Sequence, residues 1–232
     1  MTLKGKYVTA VILAAGSGRR MNSALPKQYM ELCGETVLSH TLRAFEDCPI
    51  IDSTVAVVRE EEREELSELL SRRFVKLSSV ISGKETRSLS AREGFLSIPQ
   101  ETDIVVFHDA ARCLITVCDI EDVVLAAEEY GAATAAVPVF DTVKRTSGGF
   151  VSETLNRDEL VCASTPQAFS VGIYRKGLEL CSVNMDGITD DNMIAERAGA
   201  SVRVVITSKE NVKITTDEDL CYAEYVLKGR DK

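Results

Sequence analysis

Tryptophan is missing from the 232-residue sequence, and histidine occurs only as His40 and His108. With 45% of the residues hydrophobic, the missing tryptophan excludes little. The histidines stand at no zinc-finger spacing from a cysteine, which argues against a structural zinc site. Seven cysteines are scattered (33, 48, 113, 118, 162, 181 and 221), and none forms Cys-x-x-Cys. An odd, dispersed set reads as reduced thiols in a reducing compartment. Positive charge is in deficit: 27 Lys and Arg face 36 Asp and Glu, for a net charge of -9. Nucleic acid demands a basic face, so a nucleic-acid partner is not expected. Long apolar runs are lacking too. Residues 8–15 are too few to span a bilayer and lack the long apolar core of a secretory signal. A soluble, cytoplasmic protein with no membrane partner is expected.

The length fits one large α/β domain and can bury a core without covalent staples. No repeat, low-complexity tract or linker divides it. Short β-rich runs alternate with helical ones, which predicts a mainly parallel, Rossmann-like sheet with helices on both faces. Strands are expected at 8–14, 53–58, 75–81, 103–109, 131–139, 201–206 and 211–215. Helices are expected at 36–48, 118–130, 170–182 and 190–199, over part of 82–95, and from about Thr216. The run "REEEREELSELLSRR" (59–73) predicts an exposed amphipathic helix with Leu66, Leu69 and Leu70 on its buried face. From Asp141 to Gln167 the pattern changes, and Gly148-Gly149 signals a turn. A projecting β-arm at about 141–165 is expected on a single domain.

The most informative stretch is "AVILAAGSGRRMNSALPKQY" (10–29), where an apolar strand empties into a glycine-rich, cationic loop. A dinucleotide fingerprint fails because Met21 stands at the third glycine position, and no G-x-x-x-x-G-K-[ST] is present. A triphosphate accounts for the loop better. Gly16 and Gly18 let backbone N–H groups approach phosphate oxygens. Arg19 and Arg20 supply guanidinium forks, Lys27 a mobile point charge, and Pro26 stiffens the chain before it. A merely solvated surface loop explains this crowding poorly.

L-A-A-G-x-G-x-R-M followed by P-K-Q resembles the signature of the sugar- and polyol-phosphate nucleotidyltransferases. "GKETRSLS" (83–90), "HDAAR" (108–112), "DTVKR" (141–145), "LNRDEL" (155–160), "TPQAF" (165–169), "TDD" (189–191) and "NVKIT" (211–215) follow in order. Together they look like the 2-C-methyl-D-erythritol 4-phosphate cytidylyltransferases of the non-mevalonate isoprenoid pathway. Lys84, Cys113 and Val161 depart from the glycine, proline and tryptophan usual there.

The resemblance implies transfer of CMP from CTP to 2-C-methyl-D-erythritol 4-phosphate, with release of pyrophosphate. The nucleophile is already anionic, so positioning and charge stabilisation, without a general base, are the expected means. Arg20 and Lys27 match the catalytic cationic pair. Ala14, Ala15, Gly16, Gly18, Arg19, Gly83, Arg87, Ser90 and Ala110 match the nucleotide-binding positions. Asp109, Arg112, Thr142, Arg157, Thr189 and Lys213 match those that position the polyol phosphate. Mg²⁺ is implied as the companion of the triphosphate, with Asp109 its candidate ligand. A homodimer whose β-arms clasp is implied too, with Thr142 and Arg157 acting across the interface. A ribitol 5-phosphate cytidylyltransferase and a CTP-binding sensor without catalysis are the alternatives. Helix capping is the structural alternative for Asp109, and His108 reads as a packed or hydrogen-bonded side chain.

Overall fold

The computed structural model describes residues 3, 5–16, 26–181, 185 and 187–230. Its chain order begins with β1 (Tyr7–Leu13), β2 (Glu31–Leu32), β3 (Glu35–Thr36), α1 (Val37–Asp47), β4 (Ser53–Val58), α2 (Arg63–Ser71) and β5 (Leu77–Ser82). It continues through α3 (Arg87–Leu96), β6 (Thr102–Asp109), α4 (Val117–Tyr130), β7 (Ala132–Pro138), β8 (Lys144–Ser147) and β9 (Phe150–Thr154). β10 (Val161–Ser170), α5 (Val171–Cys181), α6 (Asn192–Arg197), β11 (Arg203–Ile206) and α7 (Asp217–Arg230) complete it.

Seven strands form one sheet in the order β11-β7-β10-β6-β1-β4-β5. All neighbours pair in parallel except β10, which runs antiparallel to β6 and β7. The central strands are continuous apolar runs because helices cover both faces: all six residues of β4 are buried. Side chains alternate between the faces. Ala10 and Ile12 of β1 join the core beneath α1 and α4, with Phe45 and Val123. Val11 joins the opposite core, with Phe95, Phe107, Tyr174 and Ile194. A third cluster sets Ala223 and Val226 of α7 against Leu32, Val37, Leu114 and Ile214.

The mixed α/β sheet follows the sequence expectation, with three departures. No strand forms at 211–215. The edge beside β7 is taken by β11, and the segment instead crosses the carboxyl end of β6. There the Ile214 N–H donates to the Ala111 carbonyl at 2.8 Å, and Asn211 Nδ2 donates to the Thr165 carbonyl at 2.8 Å. Second, the arm is shorter than 141–165. β8 and β9 form a separate hairpin closed at Gly148-Gly149, with φ of 58° and 84°, a left-handed turn that suits glycine. The chain re-enters the main sheet at Val161, which pairs with Pro138. Third, the run at 59–73 divides into a 3₁₀ turn, Glu60–Glu62, and α2. There Leu70 is buried and Leu66 partly so, whereas Leu69 is 53% exposed.

Candidate active site

In an open parallel sheet, the carboxyl ends of the strands and the loops beyond them form the ligand crevice. Here β1, β5 and β6 open onto a cleft of ≈ 580 Å³. One wall is Leu13 to Gly16 with Lys27 and Gln28; the second is Lys84 to Arg87 with Ser90. Asp109 to Ala111, Lys213 and Thr215 complete it.

Hydrogen bonds and close packing hold these walls. The Ala14 N–H donates to the Val57 carbonyl at 2.7 Å, extending the ladder past the end of β1. Buried Gln28 reaches back to the same loop, its Nε2 donating to the Ala14 carbonyl at 2.7 Å and the Gly16 carbonyl at 3.0 Å. Two carbonyls are thereby turned onto one amide, which ties Ala14 and Gly16 to Gln28. Gly83 permits the walls to meet. A Cβ there would lie 2.3 Å from Ala15 Cβ and 2.9 Å from Ser90 Oγ. Ser90 Oγ accepts the Lys84 N–H at 2.9 Å and lies 2.9 Å from the Thr86 carbonyl, so this hydroxyl shapes the second wall.

Asp109, at the end of β6, is the electrostatic centre. Its Oδ1 accepts from Arg87 Nε at 2.9 Å and its Oδ2 from Lys213 Nζ at 2.6 Å. Arg112 Nε stands 4.0 Å from Oδ2, and its Nη1 donates to the Asn211 carbonyl at 3.0 Å. Burial works against the Asp109 charge, but Arg87 and Lys213 outweigh it and hold the carboxyl well below its ordinary range. Arg87 also donates through Nη1 to Asp191 Oδ2 at 2.7 Å. Its Nη2 has no hydrogen-bond partner among the described residues.

His108 is fully buried behind this centre, and burial pushes its imidazolium pKa down to about 3. Its neighbours settle the tautomer. The Arg112 carbonyl, 3.1 Å from Nε2, can only accept, so Nε2 carries the proton. Nδ1 then accepts from the Thr165 hydroxyl at 3.1 Å, and that oxygen in turn accepts the Asp109 N–H. Both ring nitrogens are occupied, as expected for a hydrogen-bonded histidine.

The cleft thus gathers Ala14, Ala15, Gly16, Lys27, Arg87, Ser90, Asp109, Ala110 and Lys213. Gly83 lies against Ala15, and Arg112 against Asp109. Gly18, Arg19 and Arg20 lie outside the described residues. Three candidates do not line this cleft within one chain. Thr189 is exposed, with its N–H and hydroxyl directed at Met193 Sδ. Thr142 is exposed at the base of the arm. Arg157 lies on a 3₁₀ turn and donates to the Phe140 carbonyl at 2.7 Å. Capping does not account for Asp109, which faces cations rather than helix N–H groups. Of the departures, Lys84 lines the cleft and Cys113 is buried with the α7 cluster.

The donor set does not make a direct magnesium cage. Both oxygens of Asp109 already accept from cations, and no three His, Cys, Asp or Glu converge on a metal position among the described residues. Sequence reasoning missed Gln28, Gln167, Tyr174 and Asp191. The motifs "PKQ", "TPQAF" and "TDD" had flagged the neighbourhoods of three of them, but the resemblance drew attention to Lys27 and Thr189 instead.

A Rossmann-like sheet with residues 14–16, Lys27, Arg87, Lys213 and an ionised Asp109 at one crevice fits the nucleotidyltransferase class. The family model for 2-C-methyl-D-erythritol 4-phosphate cytidylyltransferase matches residues 8–229. The chain belongs to that family. A relative of that name from Pelotomaculum thermopropionicum is 43% identical, covering 96% of this chain and 95% of its own length. Another from Rubrobacter xylanophilus is 41% identical over 96% of each chain. Among solved structures, the 4-diphosphocytidyl-2C-methyl-D-erythritol synthase of Anaerococcus prevotii superimposes with a TM-score of 0.85 at 29% identity. It covers 97% of this chain and 99% of its own. The 2-C-methyl-D-erythritol 4-phosphate cytidylyltransferase of Francisella tularensis gives a TM-score of 0.80 at 32% identity, covering 95% and 99%.

Proposed function

We propose that this chain transfers CMP from CTP to 2-C-methyl-D-erythritol 4-phosphate. The product is 4-CDP-2-C-methyl-D-erythritol, an intermediate of non-mevalonate isoprenoid precursor biosynthesis. A phosphate oxygen of the polyol attacks the α-phosphorus of CTP. The bond from that phosphorus to the α,β-bridging oxygen breaks, and pyrophosphate departs with the electron pair. The attacking oxygen is already anionic near neutral pH, so no proton needs to be removed. The barrier is repulsion between two phosphates and the charge that develops on the transferring and leaving groups.

One observation carries this reading: Lys27, Arg87 and Lys213 line one cleft with Asp109, while His108 is buried behind it with both ring nitrogens hydrogen-bonded. The site supplies fixed positive charge without a general base. In the proposed arrangement Lys27 and Arg20 stabilise the transferring phosphoryl and the departing pyrophosphate. Gly16, Gly18 and Arg19 cradle the triphosphate, and Gly83, Arg87 and Ala110 bound the nucleoside. Lys213 and Arg112 hold the polyol phosphate. Mg²⁺ bound along with CTP would neutralise charge on the triphosphate.

The arm supports a homodimer. Phe140, Phe150 and Val151 are 70%, 80% and 63% exposed within one chain, and a partner arm would cover them. Thr142 and Arg157 then complete the partner's polyol site. Seven free thiols support a cytoplasmic location, and no helix among the described residues is long and apolar enough to cross a membrane.

The test is pyrophosphate release with CTP, Mg²⁺ and either 2-C-methyl-D-erythritol 4-phosphate or ribitol 5-phosphate. Turnover with the first and its CDP-alcohol as product are expected. Preference for ribitol 5-phosphate overturns the substrate, and CTP binding without release from either overturns the enzyme. Mixing Arg157→Ala with Lys27→Ala subunits tests the shared site. Activity recovered in the mixture is expected, and none recovered overturns action in trans.

A further inference from the structure

We propose that Asp191 is a positioning residue for this reaction: it clamps Arg87, and through Arg87 sets the Asp109–Lys213 pair at the cleft. The proposal rests on the cytidylyl-transfer reading above. Asp191 is 1% exposed and does not line the cleft. A carboxylate this deep is costly unless it is paired and hydrogen-bonded. Among the described residues each of its oxygens has one side-chain donor. Arg87 Nη1 reaches Oδ2 at 2.7 Å, and the hydroxyl of fully buried Tyr174 reaches Oδ1 at 2.7 Å. The Asp191 backbone N–H donates to Gln167 Oε1 at 2.9 Å, which ties its main chain to β10.

The mount is stiff. Tyr174 sits on α5 among Phe95, Phe107 and Phe169, with ring centroids 4.9, 4.5 and 5.5 Å away. One turn on, Gly177 lets α6 dock against the same helix. A Cβ at 177 would lie 2.2 Å from the Ile194 carbonyl oxygen. Asp191 immediately precedes α6, so α5 fixes both its side chain and the chain that follows it.

Arg87 is the link to the chemistry. Its guanidinium lies between two carboxylates, Nε on Asp109 and Nη1 on Asp191, leaving Nη2 of this cleft-lining residue without a partner among the described residues. A planar fork held at two points has one orientation, and a fork held at one can swing. With Asp191 in place, Arg87 stays on Oδ1 of Asp109 and Oδ2 is kept for Lys213. A phosphate arriving at Lys213 therefore meets a lysine at a defined position. The mount is made of β10, α5 and the residue before α6, and the Asp191 side chain reaches the cleft through Arg87.

The test is a double-mutant cycle on the full-length enzyme between Asp191→Asn and Arg87→Lys, with Tyr174→Phe as the milder perturbation. Asp191→Asn is expected to lower kcat/KM by about 100-fold, the scale of a displacement of about 1 Å at a reacting centre. Tyr174→Phe is expected to cost about tenfold, because it leaves one buried carboxylate oxygen without its donor. The double variant should be no worse than the less active single variant by more than about twofold, because replacing Arg87 already removes the contact that Asp191 makes to it. A purely structural Asp191 would lower thermal stability, leave kcat/KM of the folded protein unchanged and show no coupling to Arg87. Asp191→Asn and Tyr174→Phe within about threefold of wild type, or losses that multiply in the double variant, overturn the proposal. Wild-type pyrophosphate release separates the two readings. Its absence overturns the cytidylyl-transfer assignment, whereas its presence alongside unaffected variants overturns the clamp alone.

Discussion

Lowering the pH from 7.5 to 5 is expected to destabilise the fold chiefly through His108. Burial, the largest influence on this ring, holds its folded pKa near about 3, against about 6.5 for an unfolded histidine. The Asp109 carboxylate favours the imidazolium, but Arg112 and Arg87 oppose it. Between those two pKa values the unfolded chain holds one more proton than the folded one, so acid favours unfolding. The His108 contribution is whole above about pH 7 and is lost as the pH falls through 6.5 toward 3, at about 1.4 kcal/mol per unit well below 6.5. From pH 7.5 to 5 the loss is about 2 kcal/mol, or a fall of roughly 4–8 °C in Tm for a chain of this size. Urea unfolding at half-unit pH steps measures it, with His108→Gln as the comparison. The glutamine variant is expected to be less stable throughout but with a flatter pH slope. If its slope over this window equals that of wild type, His108 is not buried neutral and the tautomer assignment fails with it.

Further predictions concern the cleft. Gly83→Ala places a methyl 2.3 Å from Ala15 Cβ, where carbon contacts of about 3.5–4 Å are normal, so the walls must part by about 1 Å. Overpacking costs about 1–3 kcal/mol of stability, and CTP affinity measured by calorimetry should fall at least about tenfold; unchanged affinity would show that these walls do not grip the nucleotide. Lys27→Ala should lower kcat by about 10²–10³-fold with a much smaller change in CTP affinity, since its proposed role lies in charge developed at the transition state. Weaker CTP binding with turnover at saturating CTP intact would remove Lys27 from that role. Asp109→Asn leaves Lys213 and Arg87 without their shared anion, and the KM for the polyol phosphate should rise with kcat also reduced. Steady-state kinetics with varied polyol phosphate decide this.

Local elements were legible because their signals are local. The apolar runs of β1, β4 and β6 lie where burial on both faces requires them, and β4 spans the expected 53–58. The turn at Gly148-Gly149 announced a hairpin because only a left-handed pair closes it so tightly. Residues 211–215 misled because an extended apolar-polar alternation looks the same whether it pairs in a sheet or crosses its end. Pairing there was decided by β11 occupying the sheet edge.

By itself the sequence determined the order of most strands and helices, though not β10 within the main sheet or the crossing at 211–215, together with the glycine-bearing loop after β1 and the identity of the cations available to it. Those properties follow from periodicity and residue chemistry along a few neighbouring positions. Only the tertiary structure decided which cation meets which carboxylate. Arg87 pairs with Asp191 and Lys213 with Asp109, each across 104 positions of chain. Such pairs depend on how α5 and α6 dock beneath the sheet and where 211–215 crosses it. The force between two charges depends on their separation in space, and spacing along the chain does not reveal that separation.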